Sequence, residues 1–120
     1  MTRHFSRWLS KTDLSIHTLC RGIQELERGL IDANLGSGLV KKRVVLPGRG
    51  KSGSTRTLIA TSFLDRWFFV FGFEKNDRDN ISGNELSALK ALAADLLDMG
   101  LAQITTALAA KTLQEICHEN

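Results

Sequence analysis

Apolar residues near the amino terminus recur at helical spacing. The stripe consists of Ile16, Leu19, Cys20, Ile23 and Leu26. This spacing predicts an amphipathic helix over residues 15–29, with Ser15 as its N-cap and Gly29 at its end. A shorter helix is predicted just before it, around residues 5–9.

Three segments from residue 40 onward are rich in β-branched and aromatic residues, which is typical of strands. They read VKKRVVL (40–46), RTLIATSF (56–63) and RWFFVFGF (66–73). The connections between them, PGRGKSGST and LD, predict antiparallel pairing in a meander. Because the third segment is apolar at both alternating sets of positions, it is predicted to be a central strand covered by helices instead of an edge strand.

Helical signals return after the third predicted strand. SGNE (82–85) is a capping box, with Ser82 as N-cap and Glu85 three residues later. It opens a helix whose apolar stripe is Leu86, Leu89, Ala93, Leu96 and Leu97. A shorter helix is predicted over 101–110, and TLQEIC (112–117) predicts a last strand. With no internal repeat or low-complexity linker, the sequence predicts a single α+β domain over residues 1–120, a small antiparallel meander sheet packed against helices.

Composition adds expectations about redox state and location. The two cysteines, Cys20 and Cys117, show no CxxC spacing, so they are predicted to be free thiols in a reducing cytosol. No stretch approaches the roughly 18–20 apolar residues of a membrane span, and the amino terminus lacks a signal-peptide core. We therefore expect a soluble, cytoplasmic protein with no membrane partner.

Charge is distributed unevenly along the chain. Six basic residues and no acidic one lie between Asp32 and Asp65, although the net charge of the whole chain is only +3. They are Lys41, Lys42, Arg43, Arg49, Lys51 and Arg56. Cations gathered in this way are typical of a surface that binds a polyanion. The triplet Gly50-Lys51-Ser52 does not form a nucleotide-binding P-loop, because Val45 stands where that loop requires a glycine.

The predicted topology brings separate basic segments together. In a meander the end of the first strand, the start of the second and the end of the third lie at the same edge. We therefore expect five cations, named here the basic rim, to converge there: Arg49, Lys51, Arg56, Lys75 and Arg78. The histidines, His4, His17 and His118, lie outside these segments.

Such a rim suits the cleavage of RNA by its own 2′-hydroxyl, which needs a base, cations for the charged transition state, and an acid. Crowded cations favour the neutral form of a lysine amine, whereas arginine stays charged and clamps phosphate. This chemistry requires neither a metal nor a cofactor, and the sequence has no carboxylate or histidine cluster at metal-ligand spacing.

The segments GLVKKRVVLPGRGKSGSTRTLIA (38–60) and FFVFGFEKNDRDNIS (68–82), preceded by two helices and followed by a capped one, resemble the RelE/HigB superfamily of bacterial toxins. The resemblance covers nearly the whole chain. It implies a RelE-like toxin fold, ribosome-dependent cleavage of messenger RNA, and a cognate antitoxin that neutralises the protein. The family's basic active-site positions fall on Lys51, Arg56, Lys75 and Arg78.

We assign Lys51 as the base, Arg56 as the phosphate clamp, and Lys75 or Arg78 as transition-state stabiliser or acid. Further RNA contacts are predicted at Lys41, Lys42, Arg43, Arg49, Phe73 and Asn76. Because successive residues of a strand face opposite sides, at least one cation of the run 41–43 is expected to protect the strand edge instead.

The chain departs from the family pattern in its aromatic residues. Thr55 precedes Arg56 where many members have an aromatic, and the sequence contains no tyrosine. Stacking on an RNA base, worth about 1–3 kcal/mol per contact, is then either weaker than in those members or assigned to Phe73. Two alternatives stay open: a non-catalytic nucleic-acid-binding homologue, and a gyrase-directed toxin of the same superfamily.

Overall fold

The computed structural model describes residues 1–45, 54–62, 65–75, 78 and 80–117. Its helices are α1 (Arg3–Leu9), α2 (Ile16–Glu27), α3 (Gly83–Leu97) and α4 (Leu101–Ala109). Its strands are β1 (Ala33–Gly36), β2 (Leu39–Val45), β3 (Ser54–Thr61) and β4 (Trp67–Glu74). They form one antiparallel sheet in the order β1-β2-β3-β4. The predicted α+β class and meander are confirmed.

The helix ends follow the capping signals in the sequence. Ser15 accepts a hydrogen bond from the Thr18 amide at the start of α2. At the start of α3 the Ser82 side chain accepts from the Glu85 amide, and the Glu85 side chain accepts from the Ser82 amide. Because these bonds satisfy amides that have no partner inside the helix, both predicted starts are confirmed.

Strand β1 was not predicted from the sequence. Its four residues, ANLG, include no β-branched or aromatic side chain, so their propensity for strand is low. The strand is fixed instead by a tight turn into β2, in which Ser37 and Gly38 have φ angles of 57° and 81°. Positive φ at two successive residues is typical of the type I′ hairpin turn.

Strand β4 lies at the edge of the sheet, so the predicted central position is wrong. Its two faces are apolar because a helix covers each of them, α1 on one side and α3 on the other. Apolar residues on both faces of a strand therefore indicate that helices cover both faces. They do not indicate that the strand has a neighbouring strand on each side. The amino-terminal segment lies beside β4, where the Thr2 amide donates to the Phe69 carbonyl at 3.1 Å.

Two hydrophobic cores lie on opposite faces of the sheet. Beneath α1 and α2 the buried members are Met1, Phe5, Leu9, Leu14, Leu19, Ile23, Leu26, Val40, Val44, Ile59 and Phe69. Beneath α3 they are Leu39, Leu58, Ala60, Phe68, Val70, Leu89, Ala93, Leu96 and Leu113. Adjacent residues of β2 and β3 alternate between these two sets, so each strand has one face in each core.

The first and last described segments of the chain meet. The Met1 amino group donates to the Gln114 carbonyl at 2.6 Å, and burial lowers the pKa of that amino group to about 6. Thr2 and Leu113 form an isolated antiparallel bridge. The last strand predicted over 112–117 is therefore wrong, because this segment pairs with the amino terminus through a single bridge and does not join the sheet.

Cys20 and Cys117 form a disulfide, so the prediction of free thiols is wrong. The cysteines are 97 residues apart in sequence, yet their Cα atoms lie 5.3 Å apart. The bond ties α2 to the carboxyl-terminal segment. Local spacing does not reveal such a pair, because the contact is made by the fold.

Within the described ranges, no single helix is both long and apolar enough to span a membrane. Helices α3 and α4 pass that test only when taken together, on length and composition, and they are bent by 112° at the break between them.

Gly72 of β4 allows α1 to pack closely on the sheet. A Cβ atom at this position would overlap three ring carbons of Trp8. We expect Gly72→Ala to lower the free energy of unfolding by about 1–3 kcal/mol, the usual cost of overpacking, as measured by urea denaturation. Gly83→Ala on α3 is the matched control, since no atom lies within 4 Å of the place that its new methyl group would take; it should cause no loss of stability. Equal stability of the two variants would contradict the prediction.

Candidate nucleic-acid interface

A row of three residues crosses the α3 face of the sheet near one end. Arg43 of β2 is paired with Arg56 of β3, and Arg56 is paired with Phe73 of β4. Directly paired residues place their side chains on the same face. That face is the α3 side, because Leu58, two residues along from Arg56, belongs to the core beneath α3. Arg43 is exposed and Arg56 is half-buried.

The ends of three strands meet beside this row. Val45 at the end of β2 is paired with Ser54 at the start of β3, and Thr55 is paired with Glu74 at the end of β4. The meander geometry predicted for the basic rim is therefore confirmed for the strands themselves. Lys75, which follows β4 directly, is exposed.

Three of the predicted site residues, Arg49, Lys51 and Asn76, lie outside the described residues. Arg43, Arg56 and Lys75 are at the same end of the sheet. Lys41 lies on the same face as Arg43, two residues earlier on β2. The roles assigned to all of these residues stay predictions.

Lys42 is on the opposite face of the sheet, so the structure places it away from the predicted RNA contacts. It is 9% exposed, and its Nζ lies 3.6 Å from Oε1 of Glu25 on α2. Its neighbours along that face of β2, Val40 and Val44, belong to the core beneath α1 and α2. Of the three cations on β2, Lys42 is therefore the one whose ammonium group pairs with a carboxylate on helix α2.

Arg78 extends the row on the α3 face. Its guanidinium carbon lies 5.8 Å from the ring centroid of Phe71 and 5.8 Å from that of Phe73, within the range of a cation–π contact. Phe73 is 3% exposed and belongs to neither core. Because its ring is buried beside Arg78, the predicted stacking of an RNA base on Phe73 does not fit this placement.

Glu85 holds the guanidinium of Arg78. Nη1 of Arg78 donates to Oε2 at 3.1 Å, and Nη2 donates to Oε1. The hydrogen bonds from Arg78, followed by the one from the Ser82 amide, lower the pKa of Glu85 from 4.5 to about 2. Glu85 is therefore ionised at neutral pH and is a poor proton acceptor. It serves as a charge partner in the site, not as a base.

His4 and Glu85 belong to this region but were not among the residues predicted for it. The His4 ring stacks on Phe71, with centroids 5.7 Å apart and planes at 8°, and it is exposed. In the sequence, Glu85 is marked as a helix-capping residue, whereas nothing marks His4. Both residues reach the site through tertiary packing at the edge of β4.

Among the described residues, no group of three or more histidine, cysteine or acidic side chains is placed to hold a metal ion.

A comparison with protein-family models matches residues 1–116 to a family described as the RelE toxin of the RelE / RelB toxin-antitoxin system. The match spans every described helix and strand. Comparisons with curated proteins and with solved structures gave no match.

Proposed function

Because the chain belongs to the RelE toxin family of toxin–antitoxin systems, we propose that it is a ribosome-dependent, metal-independent endonuclease that cleaves messenger RNA. The observation that carries this proposal is the row formed by Arg43, Arg56 and Phe73 on the α3 face. Arg78 lies beside this row, with its guanidinium over the ring of Phe73. Three guanidinium groups on one face of a sheet suit a phosphodiester, because guanidinium N–H groups donate charge-assisted hydrogen bonds to phosphate oxygens.

The proposed reaction uses the RNA's own 2′-hydroxyl as the nucleophile. A base removes the 2′-proton, the 2′-oxygen attacks the adjacent phosphorus, and the 5′-oxygen of the next nucleotide leaves with a proton from an acid. The products are a 2′,3′-cyclic phosphate and a 5′-hydroxyl. Lys51 is the proposed base, Arg56 clamps the phosphate, and Lys75 or Arg78 stabilises the transition state or donates the proton. Fixed cations lower the energy of the additional negative charge in that transition state.

The proposed partners are messenger RNA in the ribosomal decoding site and a cognate antitoxin that neutralises the toxin. The proposed location is the cytoplasm, where both are present. Family membership supports this pairing with an antitoxin, and the charge on the α3 face supports an RNA ligand.

Transcript mapping after induction tests the proposal. Expression of the wild-type chain in bacteria should arrest growth and create new transcript ends inside coding regions. Purified protein should cut messenger RNA on programmed ribosomes at least about 100-fold faster than the same RNA without ribosomes, because the ribosome orients the scissile bond.

Other outcomes identify the alternatives. Growth arrest with intact transcripts and DNA damage would support a gyrase-directed toxin. RNA binding that weakens steeply with salt, with no product on ribosomes or off them, would support a non-catalytic binder. Either result would overturn the nuclease proposal.

A further inference from the structure

The carboxylate of Glu85 joins two structural elements. Its Oε1 accepts from the Ser82 amide at 2.9 Å, which completes the capping box of α3. Both of its oxygens also accept from Arg78, in the segment between β4 and α3. A single acidic side chain thus ties the start of a helix to a guanidinium on the candidate interface.

These bonds fix the guanidinium in orientation as well as in position. The Arg78 Nε donates to the Asn80 carbonyl at 3.1 Å, and each terminal nitrogen donates once to Glu85. A guanidinium has five N–H groups, so two remain for other acceptors after these three bonds. The rings of Phe71 and Phe73 support the guanidinium from the side of the sheet.

We infer that Glu85 is a positioning residue, which holds Arg78 so that one of its two remaining N–H groups serves the scissile phosphate bound at Arg43 and Arg56. This inference rests on the proposed function. Holding the guanidinium in advance avoids the entropy cost of ordering a long side chain when the transition state forms. The negative charge of Glu85 weakens the general attraction for RNA, so its contribution is to the rate of cleavage and not to affinity.

Glu85→Gln separates the two tasks of this side chain. Glutamine at the same position of a capping box still accepts from the N-cap amide, but it has no charge to pair with Arg78. We expect the single-turnover rate of cleavage on programmed ribosomes to fall about 10- to 100-fold. RNA affinity should stay the same or rise, because a negative charge has been removed, and the melting temperature should change by no more than a few degrees.

Two further variants serve as controls. Ser82→Ala breaks the cap but leaves the carboxylate beside Arg78, so it should lower the melting temperature and leave the cleavage rate unchanged. In an Arg78→Ala background, Glu85→Gln should have no further effect on the rate. If Glu85→Gln slows cleavage equally in that background, or if Ser82→Ala reproduces its loss of rate, Glu85 acts only through folding and the inference is overturned.

A measurement that does not depend on cleavage distinguishes this inference from the proposed function. In wild-type protein the terminal N–H groups of Arg78 that donate to Glu85 should give NMR signals protected from exchange with water, and Glu85→Gln should remove that protection. Absence of cleavage by the wild type would overturn the nuclease proposal and, with it, the phosphate role of Arg78. Cleavage by the wild type, with unchanged signals from the terminal N–H groups of Arg78 in Glu85→Gln, would overturn the positioning role alone.

Discussion

Arg56→Ala is expected to reduce RNA cleavage on the ribosome by about 100- to 1000-fold, the usual effect of removing one donor from a charge-stabilising site. Arg56 is half-buried at the centre of the row on the α3 face, paired with Arg43 on one side and Phe73 on the other. From this central position we expect Arg56 to fill a role that a neighbouring cation cannot. The loss is measured as a single-turnover rate, together with the relief of growth arrest on induction.

Arg21→Ala is the matched control, because it removes the same charge from an exposed site on α2, beyond the opposite face of the sheet. It should leave the cleavage rate within about twofold of wild type. Arg56→Lys should recover only part of the rate, since lysine cannot make the bidentate contact. If Arg56→Ala folds normally and cleaves RNA as fast as Arg21→Ala, the α3 face is not the catalytic surface.

The second large effect concerns stability. Cys20→Ser is expected to lower the free energy of unfolding by about 2–5 kcal/mol, because the disulfide closes a loop of 97 residues and so restricts the unfolded chain. Urea denaturation of the oxidised wild type and of Cys20→Ser measures the difference.

Reductant provides the control for this prediction. It should lower the stability of the wild type to about that of Cys20→Ser, and it should have no effect on the variant, in which Cys117 has no partner to release. A wild-type unfolding curve that is the same with and without reductant would show that the Cys20–Cys117 bond contributes nothing to stability in solution.

Local signals in the sequence were sufficient for most elements of the fold. The Ser82 and Glu85 capping box predicts the start of α3 because both partners lie within one helical turn. Strand β1 could not be predicted in the same way, since its residues have low strand propensity and the Ser37-Gly38 turn determines its place. The edge position of β4 was not predictable either, because its apolar pattern reflects burial beneath helices on both faces and carries no information about neighbouring strands.

The candidate site was predictable only as far as topology determines it. Strand order places Arg43 and Arg56 in one row, and alternation implies that Lys42 faces away from them. Which face receives α2, and therefore which lysine pairs with Glu25, depends on tertiary packing. The contacts of Arg78 with Glu85 and of His4 with Phe71 depend on side-chain packing across a loop and a sheet edge, and no local pattern encodes them.

The bridge between Thr2 and Leu113 has a consequence for the order in which the protein matures during synthesis. The amino-terminal segment can complete its contacts only after residues 110–114 have left the ribosomal exit tunnel, because Met1 and Arg3 also bond to backbone carbonyls of these residues. A nascent chain therefore keeps its amino-terminal segment unpaired until residues 110–114 have emerged. The finished fold, and any activity that depends on it, arises only after that point in synthesis.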